Sequence, residues 1–259
     1  MFQKTIAYLR FYILDVLGGL SIQHTFSEIQ TQQYEAPSYL LQVQKSKLNK
    51  LLEIAKNKTE YYNAIQSYDT LEVLQKQTVK DRFEDFKVNS FNKKLFTKAT
   101  GGSTGNPLVY LTTATSRSYM WAGIMHAWTV AGYELGDKVA FIAGTALIDI
   151  KDSFKRKVFY KLFNIHICSA YSLDVVHIRK YIQDIQEKKI KIIYGYASAI
   201  DKIAQYISLH PTIQFPSLKG IVCTSEVLTP QMRKNIEANF KVKVFNQYGC
   251  NEGGISAFE

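Results

Sequence analysis

Two short stretches of this 259-residue chain carry residue types that chemistry needs. The first, TGGSTGNP at 100–107, sets three glycines among threonine and serine hydroxyls. Backbone N–H groups of such a loop can converge on an anion because no Cβ atoms block the approach, and hydroxyls add donors. It is not a Walker A loop, which needs a lysine in the motif. It is not a dinucleotide fingerprint either, since the far flank, PLVYLTT, is β-like where that fingerprint needs a helix. A hydroxyl-rich loop between two strand-like segments is a third type. The second stretch, NQYGCNEGG at 246–254, puts a single carboxylate, Glu252, among glycines. Taken singly, each stretch also reads as a plain turn.

Elements must hold these stretches in place. The first ninety residues read as mostly helical. PSYLLQVQKSKLNKLLEIAKN (37–57) has Pro37 near its start and repeats Leu41, Leu48, Leu51, Leu52 and Ala55 at helix-like spacing. Shorter helical pieces are predicted around 69–77, and the dense tyrosines 34, 39, 61, 62 and 68 suit packing at a surface. From about residue 95, short apolar runs alternate with longer amphipathic ones. Strands are predicted at 138–144, 163–170, 190–195, 218–226 and 241–249. Helices are predicted at 114–133, 173–188, 198–209 and 229–240, the last with Thr229 as its cap and Pro230 at its first position. The alternation predicts an α/β fold: a helical N-terminal region followed by a largely parallel sheet with helices. Ligands of such sheets bind at the carboxyl ends of the strands. The segments TSE (224–226) and QYGCNEGG (247–254) fall in those loops.

Composition sets outer limits. With 46% hydrophobic and 21% charged residues and no low-complexity tract, the chain can bury a core and is not disordered. The net charge of +10 favours an anionic partner, whether nucleotide, nucleic acid or membrane surface. Its densest cluster, KDSFKRKVFYK at 151–161, has the spacing of the wet face of a helix. Three scattered cysteines, Cys168, Cys223 and Cys250, argue against a disulfide framework and suit a reducing cytoplasm. His166 and Cys168 have no second pair at zinc spacing and read as a satisfied histidine and a buried thiol. His126, between Trp121 and Trp128, reads as a packed core histidine. The N-terminal MFQKTIAYLRFYILDVLGGLSIQ is interrupted by Arg10 and Asp15 and reads as an amphipathic helix. No segment approaches the ~20 uninterrupted apolar residues of a membrane span.

Several motifs, in order, resemble those of the adenylate-forming (acyl-CoA synthetase) superfamily. TGGSTGNP looks like its phosphate loop, and NQYGCNEGG like its Y-G-x-T-E motif. YELGDKV (133–139), IIYGYASAI (192–200) and CTSEVLTP (223–230) look like the phenylacetate–CoA ligase branch, with the CapK-like subgroup of surface-polysaccharide biosynthesis the nearest in kind. The resemblance covers roughly 35–259. It implies that Thr100, Gly101, Gly102, Ser103, Thr104 and Gly105 hold the β- and γ-phosphates of ATP. Glu252 would be the catalytic carboxylate that binds Mg²⁺, a hard cation that takes carboxylate and phosphate oxygens. Tyr248 and Gly249 would line the adenine and acyl-phosphate site, with Asn251 beside them, and Ser225 and Glu226 would form the adenine-side wall. The implied reaction joins a small-molecule carboxylate to AMP, releases pyrophosphate, and passes the acyl group to coenzyme A or another acceptor. No nucleic-acid partner is implied.

The pattern departs from the family at two positions. Its frequent lysine is Asn106 here, and the threonine before its glutamate is Asn251. The chain ends at GGISAFE, before the family's ribose-binding aspartate and its small C-terminal domain with a catalytic lysine. It is therefore expected to be a truncated large domain: a helical region at 1–95, an incomplete adenylation core at 96–259, and no lysine-bearing domain. Alone, it is expected not to complete the reaction, and its last strand, 241–246, is expected to lack later neighbours. Two other readings stay open. One is a non-catalytic nucleotide-binding or scaffolding remnant of the fold. The other is a basic nucleic-acid-binding protein, for which only 151–161 approaches the needed cluster.

Overall fold

A computed structural model describes the chain except for residues 1, 89–90, 101–106, 145–153, 251 and 253 and the side chains of 2–4, 156, 255 and 256. Helices α1 (Phe2–Gly18), α2 (Ile22–Gln32) and α3 (Pro37–Lys58) come first, and α4 (Lys76–Asp81) lies between two 3-10 turns, Tyr68–Thr70 and Phe83–Phe86. A hairpin of β1 (Leu95–Ala99) and β2 (Val109–Thr113) follows. Then come α5 (Ala114–Thr129), β3 (Val139–Ala143), α6 (Phe154–Leu162), β4 (Ile165–Ser169), α7 (Val175–Glu187) and β5 (Ile192–Tyr196). The last elements are α8 (Ala197–Ser208), β6 (Gly220–Thr224), α9 (Pro230–Phe240), β7 (Val244–Cys250) and β8 (Gly254–Phe258). The chain divides into two compact units, one of residues 1–29 with 114–259, the other of 30–113.

The larger unit is a three-layer α/β structure. Its sheet runs β4-β3-β5-β6-β7-β8, parallel except for the antiparallel pair β7–β8. Central strands β3 and β6 are buried at every residue, as strands covered on both faces must be. On one face Ile178, Ile182 and Ile185 of α7, Ile200, Ile203 and Ile207 of α8, and Ile236 and Phe240 of α9 pack against Ile142, Ile193, Ile221 and Cys223. On the other, Trp121, Met125 and Trp128 of α5 meet Phe141, Tyr194 and Val222, together with Phe11 and Leu14 of α1 and Ile22 and Phe26 of α2. That packing explains why the first two helices belong with the sheet and not with the rest of the helical N-terminus. Asp15 caps α2, its carboxylate accepting from the N–H groups of Ile22 (2.8 Å) and Gln23 (3.2 Å).

Two expectations change. The N-terminal segment is two helices, broken at Gly18–Gly19 where Gly19 takes φ +59, which glycine adopts without a Cβ penalty. The last parallel strand is open over only part of its length: β8 pairs with its second half, from Gln247↔Phe258 to Cys250↔Gly254, while Val244 and Phe245 pair with β6 alone, so the expected lack of a later neighbour holds for the start of the strand and not for its end. The missed strand follows a three-residue connection, which leaves little periodic signal.

In the smaller unit, α3 matches its predicted span, although no side chain of the helix is buried. The turns around 59–86 gather on Tyr61 stacked at 4.1 Å on Phe86, with the Arg82 guanidinium 4.8 Å from the Tyr61 ring. The β1–β2 ladder is antiparallel from Leu95↔Thr113 to Ala99↔Val109.

Candidate functional site

The order of the parallel strands has a reversal point. From β3 the chain goes outward through α6 to β4, then returns through α7, on the opposite face, to β5 on the other side of β3. Ligands of doubly wound sheets sit outside the carboxyl ends of strands at such a point. The site residues predicted after β6 and β7 stand at that same end of the sheet, because β3, β5, β6 and β7 are all parallel.

Close approach shapes the reversal point. A Cβ on Gly195 of β5 would collide with the Ile142 carbonyl oxygen of β3, so only glycine fits there. A Cβ on Gly144, just past β3, would lie 2.6 Å from the Tyr171 hydroxyl. Tyr196 closes β5. Burial raises its pKa, opposed by a hydrogen bond from the Gly144 backbone.

The loop after β6 is held by a long-range cap. Ser225 is exposed and takes φ +66, a left-handed conformation that costs a non-glycine residue about 1–2 kcal/mol. The turn aims Glu226 at the start of α8, where its Oε2 accepts from the Ser198 N–H at 2.9 Å. Helix α8 follows β5 directly and has no side-chain cap from Tyr196. Glu226 fills that role and sets a carboxylate at the positive end of the helix. Thus Ser225 and Glu226 tie the loop after β6 to the end of β5.

The NQYGCNEGG motif is the β7–β8 hairpin. Tyr248 is 72% exposed at the end of β7, and the ladder has an irregularity at Tyr248/Gly249. Cys250 pairs with Gly254, whose φ of +87 requires glycine, and Glu252 is exposed on the three-residue connection between them. Asn251 lies outside the described residues. Among the described residues no three acidic, histidine or cysteine side chains cluster to hold a metal. A lone exposed carboxylate suits Mg²⁺ only where phosphate and water oxygens complete the shell, which is how nucleotide-bound Mg²⁺ is held.

Thr100 belongs to the smaller unit. Its N–H donates to the Leu108 carbonyl at 2.9 Å, and its Oγ1 accepts from the Leu108 N–H at 2.9 Å. These bonds extend the β1–β2 ladder by one pair, Thr100 with Leu108. The hydroxyl oxygen expected to face phosphate thus also serves that pair. Gly101, Gly102, Ser103, Thr104 and Gly105, and Asn106 with them, lie outside the described residues.

Sequence reasoning missed the layer beneath the loops. Tyr194, Thr224 and Gln247 come from β5, β6 and β7 and are all buried. Gln247 Nε2 donates to the Tyr194 hydroxyl at 3.2 Å, and burial pushes that phenol up to about 12 against hydrogen bonds from Thr224 and Gln247. This buried network fixes the carboxyl ends of three strands relative to one another. The available signal was a glutamine inside an apolar strand. His126 is 7% exposed with its ring edge-on to Phe258 at 5.1 Å, and burial lowers its pKa, so it is a core histidine. His166 Nε2 stands 3.1 Å from Asp184 Oδ2, near enough for an ion pair though not aligned as a hydrogen bond. Burial pushes the Cys168 and Cys223 thiols up to about 12, which leaves them unreactive.

No protein-family model matches the chain. Protein CapK of Staphylococcus aureus is 33% identical over 170 residues, covering 62% of this chain and 36% of that protein. Two crystal structures of 2-hydroxyisobutyryl-CoA ligase share the fold. The open form, in complex with 2-HIB-AMP and CoA, superposes with a TM-score of 0.55 at 14% identity over 79% of this chain. The postadenylation form, with R3-HIB-AMP, gives 0.57 at 15% identity over 80%. The chain spans about a third of the length of the curated relative and 48% of each ligase chain.

Proposed function

We propose that this chain, a homologue of CapK with the fold of the adenylate-forming ligases, is the nucleotide- and carboxylate-binding core of such a ligase. One observation carries the reading. Ser225, Glu226, Tyr248, Gly249 and Glu252 come from two separate segments, and both lie at the carboxyl end of the parallel strands, the end at which such sheets generally bind ligands.

In this reading Thr100–Gly105 cradles the β- and γ-phosphates, with Thr100 paired to Leu108. Tyr248 and Gly249 line the adenine and acyl-phosphate site, Asn251 stands beside them, and the Ser225–Glu226 turn walls the adenine. Glu252 holds Mg²⁺, which supplies positive charge to the phosphates when bound. A carboxylate oxygen attacks the α-phosphorus, the bond to the bridging oxygen breaks, and pyrophosphate leaves. A thiolate, that of coenzyme A or another acceptor, then attacks the acyl carbon and releases AMP. The protein contributes positioning and preorganised charge. The motif resemblance to the CapK-like subgroup of surface-polysaccharide biosynthesis suggests that setting, and two buried thiols outside any disulfide support a reducing cytoplasm.

The test is amide hydrogen exchange on the chain with Mg²⁺–ATP and with adenosine. Slowing across 100–105 and 247–254 with ATP, and none at 100–105 with adenosine, is expected. Equal slowing at 100–105 with both ligands, or none with ATP at millimolar concentration, removes the nucleotide assignment.

A further inference from the structure

A helix on a protein surface ordinarily has one apolar stripe and one polar face. Helix α1 does not. Its inner face, Ala7, Phe11 and Leu14, is buried, with Phe11 edge-on to Phe163 at 4.8 Å. Its outer face is apolar as well. Tyr8, Leu9, Tyr12 and Val16 form one stripe, flanked by Ile6 and Leu17, and these six are 37–72% exposed. Both charged side chains within residues 5–18 are turned to internal work. Arg10 Nη1 donates to Asn164 Oδ1 at 2.6 Å, and Asp15 caps α2. Among the described side chains, the outer face therefore carries no charge to keep it in water.

A second observation says what covers it. Helix α6 packs against α1 and carries the basic cluster singled out in the sequence. Lys155, Lys157 and Lys161 are exposed on it, and Phe154 is 80% exposed beside them. An uncharged stripe with two tyrosines next to a cationic helix, in a chain of net charge +10, is the pairing that lies in an anionic bilayer interface. Among the described residues no single helix is long and apolar enough to cross a membrane; α1 and α2 reach that length and apolarity only as a pair bent by 117°, and Phe11, Leu14, Ile22 and Phe26 of that pair are buried in the core, so the contact would be with one surface. We propose that α1 and α6 together form a docking face for an anionic lipid bilayer, with α1 in the headgroup layer and the α6 lysines on lipid phosphates.

The experiment is co-sedimentation of the chain with vesicles of phosphatidylcholine alone or mixed with phosphatidylglycerol. Binding to the anionic vesicles, weakened by salt, is expected. Replacing Lys155, Lys157 and Lys161 together by Gln should weaken it by about a hundredfold, at roughly fivefold per charge. The pair Leu9→Glu and Tyr12→Glu should abolish it while circular dichroism stays that of the wild type. As a milder variant, Tyr8→Trp should show a blue-shifted emission on those vesicles. No binding of the wild type, binding indifferent to the Leu9/Tyr12 pair, or an unshifted tryptophan overturns the proposal. So does a chain that ignores vesicles but forms a dimer lost on Leu9→Glu, since the face would then belong to a second copy.

Discussion

The two compact units are built on different physical terms. Helix α3 has 22 residues and buries none of its side chains; α8 has 12 and buries Ala197, Ala199, Ile200, Ile203, Ala204 and Ile207. Among the described residues, every buried hydrophobic side chain lies in 1–29 or 114–259, and the smaller unit buries only Thr59. The larger unit is held by tertiary packing. The smaller is held by helix propensity, a short ladder and one aromatic cluster. Segments with few buried contacts open at the lowest free energy. The glycine-rich loop belongs to the weakly packed unit, and the Y-G motif to the strongly packed one.

The comparison breaks first on stability. Trp128 is fully buried, and Trp128→Ala should cost about 3–5 kcal/mol by urea denaturation. Leu51 is 62% exposed, and Leu51→Ala should stay within about 0.5 kcal/mol. Comparable losses at the two sites would show that α3 is packed as firmly as the sheet.

Binding tests the next step. Glu252→Gln should weaken Mg²⁺–ATP binding by about tenfold or more and leave the urea midpoint unchanged, as loss of one charged ligand does. Calorimetry with and without chelator checks this, and a variant equal to wild type in Mg²⁺ dependence would remove the metal role.

A smaller effect is expected from Glu226→Gln, which weakens the charge at the start of α8. The cost should be ~0.5 kcal/mol, with faster amide exchange at Ser198 and no change in the smaller unit. A change confined to nucleotide binding would give Glu226 a direct ligand role instead.

The gentlest probe is pH. Burial lowers the His166 pKa from 6.5, outweighing the opposing pull of Asp184. Burial alone would raise the Asp184 carboxyl, but Lys188 and His166 outweigh it and hold it below 3.8. Both pKa values are depressed in the folded state, so the unfolded chain binds more protons as pH falls. Stability should therefore decline below about pH 6.5 through His166 and the likewise buried His126, and again below pH 3.8 through Asp184. A His166→Gln variant should shrink the first decline to the part due to His126 and also weaken the second, since His166 helps to hold Asp184 low, as followed by thermal melts across pH.

Particular elements show what could be read without coordinates. Thr229 and Pro230 announced the start of α9, and Thr229 Oγ1 does accept from the Met232 N–H, at 3.2 Å. The buried strands announced themselves as apolar runs because both of their faces meet helices. The break between α1 and α2 was hidden by continuous apolarity across Gly18–Gly19, and β8 by its short connection to β7.

By itself the sequence determined the local elements and the order of the motifs, because caps, glycines and periodicity act over a few residues. It did not determine which residues share an end of the sheet, how Glu226 comes to cap a helix 28 positions earlier in the chain, or that Tyr194, Thr224 and Gln247 meet. Nor did it distinguish the two apolar faces of α1, since periodicity reports that a side is apolar and not whether anything covers it. Those facts depend on strand order and on contacts between distant segments, and only the folded chain brings such segments together.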